Sequence, residues 1–247
     1  MTRDFPAGHY RFIPAVFQYS SGVAANTGFE IVRVRFDRLL PLADGFDRAK
    51  SIMQADGCAP TAFCACELRS PAAFTEDGFH AFNEHYVKTL AAWGIFDGTT
   101  NPVARSNVCP DIDPPAVPSM YAFSYVRPKA DAPPSFVIAG GAESRDGPGT
   151  YPERIMRYRD LSADGYAEKV RFTVASMAQR MNELGFAWPD ATAVQAYTIH
   201  DFHAVAAKEL VAKGAARSGL TWHYARPPVV DLEYEMDVRR VMTELVV

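Results

Sequence analysis

Apolar residues recur along this chain in two rhythms, and the order of those rhythms is written twice. Residues 30–36 alternate Val32, Val34 and Phe36 against Ile31, Arg33 and Arg35, the period of two expected of a strand with one buried face. Residues 45–56 then place Phe46, Ala49, Ile52 and Met53 on one side of a helix, with Gly57 as its stop. A strand over 61–68, a helix over 77–93 ended by Gly94, and strands over 104–109 and 120–126 follow. An earlier apolar run, 15–24, reads as an opening strand.

The second half repeats the order. Residues 136–141 form a strand. Val170, Val174, Met177, Met181 and Leu184 then make one helical stripe over 166–184, closed by Gly185. A strand over 193–199 follows. Asp201 stands ready to cap a helix over 202–213, and strands over 220–224 and 232–241 close the half. Between the halves, Pro128 to Pro134 lacks large apolar side chains and contains three prolines, the composition of a linker. The expected class is α+β. Two tandem domains, 1–127 and 135–247, each carry a mixed sheet with two helices on one face.

Composition narrows the functions rather than the fold. The 247 residues are 48% hydrophobic and 22% charged, which is ordinary for a globular chain able to bury a core. The net charge of −4 and the lack of a basic stripe argue against a nucleic-acid partner. No apolar stretch reaches the roughly 20 residues needed to cross a bilayer. The start, MTRDFPAGHYRF, has no export-signal pattern, so a cytoplasmic protein is expected. Cys58, Cys64, Cys66 and Cys109 then read as reduced, buried thiols, since their spacing suits no zinc site.

Several short motifs carry a resemblance. The first half has Tyr19-Ser-Ser-Gly22, then Phe82-Asn-Glu-His-Tyr86 on its second helix, then Val103-Ala-Arg-Ser106. The second half has Leu232-Glu-Tyr-Glu-Met-Asp-Val at its closing strand. Together they resemble the Rid/YjgF family of small deaminases, whose domain is chorismate mutase-like, here in a two-domain form. The resemblance implies hydrolysis of a small imino or enamino carboxylic acid, such as an aminomuconate-like intermediate, with release of ammonia. It implies no metal and no organic cofactor. It also implies a homo-oligomer, most simply a trimer.

By the same resemblance, Arg105 binds the substrate carboxylate, for which a planar guanidinium fork is suited. Ser21, Gly22, Asn83 and Tyr86 are its expected neighbours. Glu233, with Glu235 as second choice, handles the water. The two glutamates stand two apart on an expected strand and should share one face, opposite Leu232, Tyr234, Met236 and Val238. In the second half, Arg217 and Arg226 compete for the arginine position, and Ala206 stands where the helix Asn belongs. His223, and beside it His200, are further pocket candidates. The first half has no glutamate in its closing strand, so neither half alone holds the full set. A site between unlike halves follows. A chorismatase-like enol-ether hydrolase and a non-catalytic ligand-binding protein are the alternatives.

Overall fold

The long apolar stripe of the second half becomes helix α4 (Ala163–Glu183), capped by Ser162, whose hydroxyl accepts the Gly165 amide. Its Val170, Val174, Met177 and Met181 are buried with Phe136 and Ile138 of a strand below and with Tyr234, Met236 and Val238 of another. The computed structural model describes residues 1–145 and 147–247, in which two mixed sheets carry helices on their outer faces. Among these residues no helix is long and apolar enough to cross a membrane.

The six-stranded sheet is built round β4 (Phe29–Pro41), β5 (Phe63–Arg69), β6 (Ala104–Pro110) and β7 (Ser119–Pro128), in the order β6-β5-β7-β4. Helices α1 (Leu42–Ala55) and α2 (Glu76–Ala92) cover it through Phe46, Met53, Tyr86 and Leu90, which meet Val32, Val34, Leu68 and Phe123. The seven-stranded sheet contains β8 (Phe136–Ala142), β9 (Ala193–Tyr197), β10 (Thr221–His223) and β12 (Glu235–Arg240), in the order β10-β9-β12-β8. Helix α4 and the short α5 (His203–Glu209) cover this sheet. In both sets the two strands at one end run parallel and the other pairings are antiparallel.

The inner faces of the sheets meet. Tyr10, Phe12, Val23 and Ala139 pack there against Ile31, Ala65, Ala104 and Val126. A buried polar layer shares that seam. Arg33 forks onto Glu67 at 2.6 and 2.9 Å, and Asp237 accepts from Gln195, Tyr197 and Ser106.

Sheet membership crosses the expected boundary between 127 and 135. The N-terminal strands β1 (Arg3–Phe5), β2 (Tyr10–Ile13) and β3 (Gly22–Ala25) join the second half's sheet through β3 and β8. In return, β11 (Ala225–Arg226) pairs with β6, and β13 (Thr243–Val246) pairs with β4. The expected strand over 220–224 is therefore cut to Thr221–His223, because the chain passes at Tyr224 to the other sheet, where β11 follows. The expected strand over 15–24 begins only at Gly22, since Pro14 and the Val16–Tyr19 bridge hold the preceding chain in a loop. The helix expected over 202–213 stops at Glu209 and continues as a 3-10 turn. The four cysteines are buried free thiols, and burial pushes Cys66 and Cys109 up to about 12.

Candidate active site

A cavity of about 220 Å³ opens at the end of the seam between the sheets. Helix α2 forms one wall, the ends of β6, β8 and β12 the floor, and the segment with the short helix α3 (Tyr151–Arg154) another wall.

Arg105 comes from the start of β6. Ala104 and Ser106 on either side of it face the second sheet, so strand alternation turns Arg105 toward α2. There it is 3% exposed. Its guanidinium carbon lies 4.8 Å from the Tyr86 ring, 5.2 Å from Tyr19, 5.5 Å from Phe79 and 5.6 Å from Phe82. Phe79, Phe82, Asn83 and Tyr86 share one face of α2 by helical spacing. From that face Asn83 Oδ1 accepts a 2.7 Å hydrogen bond from Arg105 Nη1. Among the described residues Arg105 has no carboxylate within ion-pair distance. The result is a cation buried in an aromatic cage, with donors left for an anionic ligand.

Glu235 opens β12 and reaches the same cavity from the other half of the chain, 4% exposed. Burial, reinforced by the neighbouring Asp237 carboxylate, pushes its carboxyl well above the usual range against the pull of Arg105. Among the described residues it has no hydrogen-bond partner, whereas Asp237, two residues on, is saturated. Gly140 of β8 makes room for it: a Cβ at that position would lie 2.2 Å from Glu235 Oε1 and 3.0 Å from the Ser106 Cα. A buried carboxyl whose proton is held more tightly than usual, beside a caged cation, can donate that proton and then receive one.

The structure brings together Arg105, Asn83 and Glu235 and seats Tyr86 beneath the guanidinium. It does not bring in the other expected residues. Residues 231–234 are turn and extended chain rather than strand, with Asp231 at φ 70°, so Glu233 and Glu235 do not share a face. Glu233 lies outside the cavity, 2.8 Å from His200 Nε2 and 3.9 Å from Arg226 Nη1. Arg226 is itself tied to Asp111 on the surface. Arg217 is exposed in the turns that follow α5. His223 stacks on Tyr197 at 4.8 Å and bonds Gln195; burial, aided by Arg69, lowers it to about 4. Gly22 is engaged in β3 pairing, and Ser21 lines a separate hollow of about 430 Å³ beside α4. Among the described residues no group of three or more His, Cys, Asp or Glu is placed to hold a metal ion.

Residues 2–245 match the family model described as 2-aminomuconate deaminase CnbZ. The chain belongs to that family. A 2-amino-5-chloromuconate deaminase of Comamonas testosteroni is 50% identical over 244 residues, 98% of this chain and 97% of that protein. Among solved structures, a chorismatase aligns over 89% of this chain and 77% of its own at 11% identity, with a TM-score of 0.49. A YjgF/YER057c/UK114 protein of Mycobacterium tuberculosis aligns over 47% and 83% at 14% identity, with a TM-score of 0.31.

In this member of the 2-aminomuconate deaminase family, three cavity arginines carry no motif that marks them: Arg145, Arg154 and Arg180. Arg180 sits in the last turns of α4, where a basic residue is usual for the helix dipole alone. Arg145 and Arg154 belong to a stretch without periodicity. Glu76, at the first position of α2, ties that stretch down by accepting from the Tyr151 amide at 3.5 Å and from Arg154 Nη2 at 3.4 Å. A capping box at Thr150 and Glu153 was the one local signal there.

Proposed function

We propose that the chain is a hydrolytic deaminase of a 2-aminomuconate-type enamine, with Arg105 and Glu235 as its catalytic pair. The observation that carries this reading is the single cavity in which the Arg105–Asn83 pair of the first half meets the buried Glu235 of the second, its carboxyl pushed above the usual range. Family membership supports the substrate class.

The chemistry follows from the geometry. Arg105 holds the carboxylate next to the amine-bearing carbon, and Asn83 fixes the guanidinium plane. Glu235 gives its proton to the enamine carbon, which leaves an iminium. The carboxylate so formed takes a proton from water as the oxygen attacks the iminium carbon. The resulting carbinolamine receives that proton on nitrogen. Ammonia leaves as the hydroxyl proton returns to Glu235. One enamine and one water become one 2-oxo acid and one ammonia, and Glu235 ends protonated.

The matching orders β6-β5-β7-β4 and β10-β9-β12-β8 further support descent from a duplicated Rid-like domain, with strands exchanged at both chain ends. The expected trimer remains a proposal for light scattering to decide. The deciding experiment for function is incubation with freshly generated 2-aminomuconate, following ammonia release and loss of diene absorbance. Turnover in the wild type and its loss in Glu235→Gln are expected. No ammonia from the wild type would overturn the reading.

A further inference from the structure

The cavity holds more positive charge than one carboxylate requires. Arg105, Arg145, Arg154 and Arg180 all line it, against the carboxyl groups of Glu76 and Glu235 alone among the described residues. Arg105 is committed to the aromatic cage on β6. The others come from the opposite half, and two of them are short of partners among the described residues. Arg154 stacks on Tyr151 at 4.4 Å and touches Glu76 with one nitrogen, while its Nε is buried with no hydrogen-bond partner among the described residues. Arg180 gives one hydrogen bond, Nη1 to the Ala139 carbonyl at 3.3 Å, and among the described residues no carboxylate pairs with it.

The backbone is shaped round Arg180. A Cβ at Gly141 would come within 2.8 Å of its Nη1, so a glycine is what lets the guanidinium lie against β8. Tyr151, under the Arg154 guanidinium, lines the same cavity as Arg105. A guanidinium has five N–H donors in a fork that fits a carboxylate. Two such groups with most donors unused, across one cavity from a third, form a receptor for two anionic ends.

Resting on the deaminase reading, we propose that Arg154 and Arg180 form a second carboxylate clamp, so that the site selects linear dicarboxylates over monocarboxylates of the same length. Arg105 and Asn83 take the carboxylate at the reacting end; Arg154 and Arg180 take the distal one. A substrate lacking the distal carboxylate leaves both guanidiniums without their anion, the situation in which a polar site rejects an analogue most strongly.

The test needs no turnover. Binding of trans,trans-muconate and of sorbate, the same six-carbon diene with one carboxylate replaced by methyl, is measured by calorimetry. The wild type should prefer muconate by roughly 10- to 100-fold, the scale of charge-assisted hydrogen bonds to one carboxylate. In the Arg154→Gln/Arg180→Gln variant the muconate-to-sorbate ratio should fall to about threefold or less. Arg105→Gln should weaken both ligands and leave the ratio standing. Equal wild-type affinities, or a ratio that survives the double substitution, would overturn the clamp. Should the double variant not fold, Arg180→Gln alone removes only the bond to Ala139 and should still lower the ratio at least ~2-fold; an unchanged ratio there overturns the clamp as well. The two readings separate cleanly. A collapsed ratio in a protein that releases no ammonia from 2-aminomuconate retains the clamp and removes the deaminase.

Discussion

Arg105 Nη1 donates to Asn83 Oδ1 at 2.7 Å, a bond between the first residues of a strand and the middle of the helix that covers it. It fixes one edge of the guanidinium while four aromatic rings hold its faces. Arg105→Lys keeps a charge but loses the planar fork and the stacking. We expect kcat/KM on the enamine to fall at least ~30-fold, mostly through KM, with a smaller loss of ~3- to 10-fold for Asn83→Ala. Steady-state kinetics on folded variants checks both, and an unimpaired Arg105→Lys enzyme would remove Arg105 from the site.

The two glutamates that a strand pattern cannot separate are separated by the structure, and kinetics can tell them apart. Glu235→Gln should lower kcat by ~100-fold or more, the usual scale for a general acid–base group. Glu233→Gln, outside the cavity against His200, should keep kcat within ~3-fold. The opposite ranking would return the acid to Glu233.

The raised pKa of Glu235 has a consequence for stability. The folded state holds that proton at pH values where the unfolded chain, near 4.5, has released it. Its contribution is complete below 4.5 and is lost as pH rises toward the folded value, by up to ~1.4 kcal/mol per pH unit. Glu235→Gln removes a carboxyl that must be kept neutral. The variant's melting temperature should gain on that of the wild type as pH rises from 5 upward. A constant difference across that range would mean that Glu235 is ionised when folded.

Local order was legible in the sequence because it rests on local periodicity. The stripe from Val170 to Met181 fixed α4, and Phe79, Asn83 and Tyr86 share a helical face by spacing alone. Arg105, Asn83 and Glu235 were found through motifs and proved to be neighbours. The exchange of β1 to β3 and β13 between sheets was not legible. Residues such as Arg3 to Phe5 and Thr243 to Val246 are too short to show a period, and their partners are chosen by contacts far along the chain. The separation of Glu233 from Glu235 was hidden for a related reason: β12 starts three residues later than its apolar alternation suggests. The cavity arginines were hidden because a basic residue on a helix end or loop has no distinguishing pattern until the fold closes round it.

Gly140 is tied to the chemistry by space rather than by backbone freedom. A methyl group there would collide with the Glu235 carboxyl and press on the Ser106 backbone. Gly140→Ala should cost ~1–3 kcal/mol by overpacking and reduce kcat at least ~10-fold by moving the carboxyl. Chemical denaturation with parallel kinetics checks it, and a variant with wild-type kcat would show that the carboxyl position is not critical.

The floor of the site has its own fastening, and it makes the strongest stability prediction. Lys169 and Glu143 form an ion pair at 3.3 Å with both side chains fully buried. Lys169 also donates to the Met156 carbonyl, while Glu143 accepts the amides of Glu233 at 2.7 Å and Tyr234 at 3.1 Å. The pair thus joins α4, the chain leaving β8 and the chain about to enter β12 at Glu235. Lys169→Met fills similar volume but leaves Glu143 buried without its countercharge, which should cost ~3–5 kcal/mol. Adding Glu143→Gln removes that charge and still offers one acceptor to the amides, so the double variant should be more stable than Lys169→Met by at least ~1 kcal/mol. It should not regain wild-type stability, because the second amide loses its acceptor. A double-mutant cycle by urea unfolding measures the coupling. If Lys169→Met costs under ~1 kcal/mol, water reaches Glu143 and the pair does not hold the approach to Glu235.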